Sequence, residues 1–165
     1  MSASAPRRLS ISLLRDPVHC VALGFGTGLS PWMPGTLGSA LGLIPCWFVA
    51  PLIWPVKLAL AAVAFLAGIR LCGVSSQRLG VHDHPGIVFD EIAAMLTITV
   101  VLPQSWPQLA VAFALFRIFD IWKPWPIRDL DHRLSGGLGI MLDDQMAAVY
   151  AAICLGFLQY GIYAS

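Results

Sequence analysis

This sequence predicts an all-α fold, a compact bundle of membrane-spanning and partly inserted helices, and three observations predict it. Hydrophobic residues make up 58% of the chain, with mean hydropathy +0.77. Charged residues make up 12%, against roughly 25% in soluble proteins. Long apolar runs alternate with short breaks rich in proline and glycine. A length of 165 residues suggests one domain, 1–165, with residues 1–20 as an N-terminal segment.

The first 17 residues, MSASAPRRLSISLLRDP, have basic residues but no apolar stretch ending at a small-residue cleavage site, so no cleavable signal is expected. The first apolar run, Leu37 to Val56, is long enough to cross a hydrocarbon core of roughly 30 Å. Pro45, Pro51 and Pro55 interrupt it, which predicts a kinked or re-entrant segment. The second run, Leu58 to Gly73, follows after Lys57 alone, so the two are expected to form an antiparallel hairpin. Two shorter runs, Ile92 to Leu102 and Leu109 to Phe119, flank PQSWPQ with its breakers Pro103 and Pro107. At ~15–20 Å each falls short of a full span, which predicts a hairpin that dips into the bilayer or packs inside the bundle. The last run, Gln145 to Ala164, is long enough to cross.

Arg7, Arg8 and Arg15 place the N-terminus in the cytoplasm by the positive-inside rule, and Arg70 and Arg78 do the same for the end of the first hairpin. Threading from that start returns the acidic segments to the same cytoplasmic side. A net charge of +1 gives no basic footprint for nucleic acid. Cys20, Cys46, Cys72 and Cys154 stand singly without CxxC spacing, as reduced packing thiols do.

Eight of the nine acidic residues lie between Asp83 and Asp144. Carboxylates gathered in so apolar a chain need a partner, and Mg²⁺ is the simplest, since it takes oxygen ligands from one or two carboxylates plus a substrate phosphate. HDHPGIVFDEI, residues 82–92, puts Asp83 in a Pro/Gly loop and Asp90 and Glu91 at the start of an apolar run. A helix cap accounts for one of these carboxylates but not for three within nine positions. His82 and His84 raise zinc, yet their spacing in a carboxylate-rich loop fits oxygen-ligated Mg²⁺ better. GGLGIMLDDQMAA, residues 136–148, is expected to be a glycine-rich loop with Asp143 and Asp144 opening the last helix. Neighbours on a helix diverge by about 100°, so the two should differ in role.

FRIFDIWKPWPIRDLDHR, residues 116–133, spaces Arg117, Asp120 and Lys123 along one helical face, ended by Pro124 and Pro126. A salt-bridge ladder is the plain alternative to a phosphate clamp made of Arg117, Lys123 and Arg128. GFGTGLSPWMPGTLGS, residues 24–39, is either a backbone nest for phosphate oxygens or a membrane-entry turn capped by Thr36. The Cys72–Arg78 spacing imitates a cysteine phosphatase loop, but nothing nearby activates the thiol.

GFGTGLSPWMPGTLGS, HDHPGIVFDE, FRIFDIWKPWPIRDLD and GGLGIMLDDQMAA, in this order over about residues 24–160, resemble the bacterial phosphatidylglycerophosphatase A family. Ala94 and Ala148 stand where the family pattern has glycines. The resemblance implies an all-helical, Mg²⁺-dependent enzyme at the cytoplasmic face of the inner membrane. Its substrate would be phosphatidylglycerophosphate and its product phosphatidylglycerol, with membrane lipids as partners and a homo-oligomer left open. On this reading Asp83, Asp90, Glu91, Asp143 and Asp144 hold the metal, while Arg117, Lys123, Arg128 and Thr36 contact phosphate. Asp83, Asp120 and Asp144 carry catalysis, Asp120 as ligand, general base or lysine orienter. No DxDx[TV] signature of aspartyl-phosphate enzymes is present, which favours direct attack by water. A small membrane cation transporter or carrier is the alternative from another class, and it would place its carboxylates within the spans.

Overall fold

The computed structural model describes residues 9–81, 83–125, 127 and 135–163, with side chains to residue 159, and contains no strand among them. Helix α1, Pro17–Ala22, follows a 3₁₀ turn at Ile11–Arg15. Pro17 opens α1, and Asp16 caps it by accepting from the backbone N–H of Val18 at 2.8 Å and of His19 at 3.3 Å. A second 3₁₀ segment, Gly24–Leu29, is kinked at Phe25 and Gly26, both with positive φ. It leads to α2, Pro34–Val49, which starts behind Met33 in the left-handed region.

Proline chemistry sets the next boundary. Pro45 is carried inside α2, but the chain leaves the helix at Ala50 and Pro51, and α3 (Trp54–Leu79) begins with Pro55 in its first turn. The run expected as one segment from Leu37 to Val56 is therefore divided between two helices. Helix α3 is correspondingly longer than the Leu58–Gly73 run and ends at Gly80, whose φ of 69° supports the left-handed C-cap.

Helix α4, Phe89–Ile98, is only ten residues long and tightens into a 3₁₀ turn at Thr99–Val101. Beyond its acidic first turn, Ile92, Ala93, Ala94, Met95 and Ile98 are all buried, so α4 lies inside the bundle, packed by α2, α3 and α6. Helix α5, Trp106–Trp122, and α6, Gly136–Tyr163, follow. The last helix starts nine residues before the expected Gln145, so the glycine-rich segment is helical rather than a loop. The cause is packing: a Cβ on Gly137 would overlap the carbonyl of Ile69 on α3. Met141 from the following turn of α6 lies over Gly68.

The helices run alternately up and down. The starts of α2, α4 and α6 and the ends of α3 and α5 share one end of the molecule. At the far end Lys57 Nζ donates to Leu102 O at 2.6 Å and Trp47 stacks on Trp106. Helices α3 and α6 each contain a stretch, Trp54–Leu79 and Gly136–Gln159, long and apolar enough to cross a membrane.

Candidate active site

A cavity of about 270 Å³ opens at the end where α2, α4 and α6 begin. Six carboxylates line it (Asp83, Asp90, Glu91, Asp120, Asp143 and Asp144) together with two cations, Arg117 and Lys123. Four segments far apart in sequence supply them: the loop at Asp83, the first turn of α4, the last turns of α5 and the third turn of α6.

Asp90 and Glu91 stand in the first turn of α4, where the free N–H groups favour negative charge. Asp90 Oδ1 accepts from the backbone N–H of Glu91 at 3.0 Å. Oxygens of Asp90, Glu91 and Asp144 lie within 4.8 Å of one another. Burial pushes the carboxyls of Asp90 and Glu91 well above their ordinary values, and negative neighbours add to this, Glu91 on Asp90 and Asp144 on Glu91. Such a group either holds a proton or waits for a cation.

Glu91 fits because α2 is glycine-rich on the facing side. A Cβ on Gly35 would overlap Glu91 Oε1, and one on Gly38 would stand 3.2 Å from Glu91 Oε2. The GTLGS stretch thus makes room for a carboxylate, which neither reading of that motif as a nest or a turn had foreseen. Thr36 lies in α2 but does not line the cavity, and its Oγ1 is buried without a hydrogen-bond partner. Met33, not Thr36, occupies the N-cap position of α2, and no side chain caps the helix there.

Arg117 bridges the acidic groups. Its Nη1 is 2.6 Å from Asp120 Oδ2 and 3.7 Å from Glu91 Oε1. It also donates to Ser39 Oγ at 3.4 Å, while the Ser39 hydroxyl donates to Gly35 O at 2.8 Å. Asp120 also makes a side-chain hydrogen bond with Asp144. Lys123 Nζ pairs with Asp143 Oδ2 at 2.7 Å. Lys123 sits just past the end of α5, in the left-handed region, rather than on the helical face expected from its spacing. Asp143 and Asp144 diverge as adjacent helical residues must, the first towards Lys123 and the second towards Asp90 and Glu91. They lie two turns inside α6, not at its opening. Arg128 and His82 fall outside the described residues.

Met33, Pro34, Gly35, Pro85 and Ile87 also line the cavity and carry no chemical signature by which sequence alone could mark them. His84 is buried, and its Nδ1 accepts from the backbone N–H of Gly86 at 3.0 Å, so it braces the loop beside Asp83. Cys72 is buried against Met141, and Arg78 pairs with Asp16 at the surface, which disposes of the phosphatase-like spacing between them.

The phosphatidylglycerophosphatase A family matches residues 20–159. Phosphatidylglycerophosphatase A of Escherichia coli (strain K12) is 42% identical over 156 residues, covering 93% of this chain and 88% of that protein. The Haemophilus influenzae protein of the same name is 45% identical over 152 residues, covering 91% and 93%. A Bacteroides thetaiotaomicron protein named for phosphatidylinositol-3-phosphatase activity is 35% identical over 152 residues, covering 86% and 93%. No solved structure matches the chain. With nearly the whole chain aligned, and its four acidic and glycine-rich segments converging on one cavity, the protein belongs to the phosphatidylglycerophosphatase A family and is a phosphoric monoester hydrolase.

Proposed function

We propose that this chain is a Mg²⁺-dependent lipid phosphatase that removes the terminal phosphate of phosphatidylglycerophosphate to give phosphatidylglycerol and inorganic phosphate. The observation that carries the reading is the meeting of Asp90, Glu91 and Asp144 with Arg117 and Lys123 in one cavity, in a chain whose relatives bear that activity in their names.

The donor set fits a hard cation. All candidate ligands are carboxylate oxygens, Glu91 Oε2 is buried without a hydrogen-bond partner, and six lining carboxylates outnumber two lining cations. Asp90, Glu91 and Asp144 would hold the ion, with Asp83 and Asp143 beside them. When bound, Mg²⁺ polarises the phosphoryl group and lowers the pKa of the attacking water. The chain's own residues do the rest. Arg117 and Lys123 neutralise and orient the phosphate oxygens, for which they must be shared with Asp120 and Asp143. Asp120, between Arg117 and Asp144, takes the proton of water as the oxygen adds to phosphorus and returns it to the glycerol oxygen as the ester bond breaks. Displacement is direct, with no phosphorylated residue.

The protein is placed by this reading in the bacterial inner membrane, as a multi-pass chain with its cavity towards the cytoplasm. Every described acidic residue lies at the cavity end, which suits an interfacial enzyme better than a carrier with carboxylates along its spans. Phosphate release by the purified protein from phosphatidylglycerophosphate, with phosphatidylinositol 3-phosphate as competing substrate, tests the activity. Release should require Mg²⁺, and Glu91→Gln and Asp144→Asn should each lower kcat/KM by at least ~100-fold while leaving helicity intact. Full activity in chelator would remove the cation from the mechanism.

A further inference from the structure

The six tryptophans sort into two groups at opposite ends of the bundle. Trp47, Trp54 and Trp106 gather at the end away from the cavity, joined by the Trp47–Trp106 stack at 4.3 Å. Trp32, Trp122 and Trp125 flank the cavity through their chain neighbours, since Met33 and Lys123 line it. These three are 80%, 72% and 78% exposed. Indole combines an apolar body with an N–H donor and concentrates at membrane–water interfaces, so exposed indoles beside the cavity suit contact with lipid.

On the cavity side the main chain is held at Trp32 and Trp125. Ser30 Oγ donates to Trp32 O at 2.9 Å and accepts from its N–H at 3.2 Å, and Tyr150 donates to Trp125 O at 3.1 Å. Met33 and Lys123 both hold the left-handed conformation, which ordinary residues adopt only when their surroundings enforce it. The backbone therefore turns sharply next to Trp32 and Trp122. A polar, carboxylate-lined cavity flanked by exposed indoles matches a ligand with a charged head and an apolar body.

Resting on the phosphatase reading above, we propose that Trp32, Met33, Trp122 and Trp125 form a specificity rim that seats the ester-linked glycerol region of a diacyl phospholipid, so that its phosphomonoester alone enters the cavity. The test is steady-state kinetics on phosphatidylglycerophosphate in mixed micelles for the Trp32→Ala/Trp122→Ala double variant, with Trp54→Ala in the opposite group as control. The double variant should raise KM about tenfold with kcat within about threefold of wild type. Trp32→Phe/Trp122→Phe should restore most of the affinity, and Trp54→Ala should leave KM unchanged. An unchanged KM in the double variant, an equal rise in Trp54→Ala, or a loss confined to kcat would each overturn the rim. A wild-type enzyme inactive on the lipid would instead overturn the phosphatase reading, and the rim with it.

Discussion

Asp90 and Glu91 stand on a helix too short to cross a membrane, and burial first, then a negative neighbour (Glu91 for Asp90, Asp144 for Glu91), holds their carboxyls well above the ordinary 3.8 and 4.5. Near those ordinary values the unfolded chain gives up protons that the cation-free folded protein still binds. Stability must therefore fall as pH rises from about 4 through the raised folded values, where both states become ionised. A divalent cation in place of those protons reverses the loss. Thermal unfolding in chelator should accordingly show Tm declining as pH rises above the ordinary carboxylate range, and the increment from added Mg²⁺ should grow in the same direction. An increment independent of pH would show that these two carboxyls are not its ligands. Gly35 offers a second residue-scale check, because Gly35→Ala adds a methyl where Glu91 Oε1 lies and 3.3 Å from Arg117 Nη1. Activity should fall at least tenfold with little change in Tm, since the clash is with side-chain ends rather than backbone. The carboxylates were legible in sequence because charge is conspicuous in an apolar chain. Gly35 was not, because a glycine that yields space looks the same as one that turns the backbone.

The breakers Pro103 and Pro107 were read correctly as separating two helices, whereas the Pro51–Pro55 break, expected as a kink within one segment, ends α2 and starts α3. Pro55 and Pro107 sit in the first turns of α3 and α5, and Pro51 stands just beyond α2. The GGLG stretch was expected to be a loop, because glycine costs about 1 kcal/mol in a helix interior. Contact with α3 outweighs that, as Gly137 lets the α6 backbone approach Ile69 and Gly73. Gly137→Ala should cost about 1–3 kcal/mol by overpacking and should lower activity as well, because Asp143 and Asp144 ride on the same helix. Comparing its Tm and kcat/KM with those of Gly156→Ala, where a Cβ meets open space, separates packing from propensity. At the far end, Lys57 satisfies the Leu102 carbonyl where the 3₁₀ turn after α4 ends. Lys57→Met should destabilise the protein by about 1–3 kcal/mol while kcat at low temperature stays near wild type, since only the distal end of α4 loses a partner.

At the scale of the molecule, the alternation of helices delivers every described acidic residue to one end. Positive-inside threading had put those same segments on one side, so this much of the architecture was present in the sequence. The pairing of Asp143 with Lys123 and of Asp144 with Asp90 and Glu91 was not, because it depends on where α6 begins. Orientation can be tested in a cysteine-free background: an impermeant thiol reagent should label Gln104→Cys from the periplasm, and Ser10→Cys only after the inner membrane is opened. The reverse pattern would invert the proposed topology.

The contact between Gly28 and Gly86 has a wider consequence. A Cβ on Gly28 would overlap the Gly86 carbonyl, and one on Gly86 would come within 2.6 Å of the Gly28 carbonyl, so the two loops meet backbone to backbone. Neither position can be rescued by shrinking a neighbouring side chain, since the obstacle is main chain. In a mutational scan both should read as intolerant as the carboxylates while having no chemistry of their own, and a map of functional loss would assign to catalysis what belongs to the shape of the scaffold.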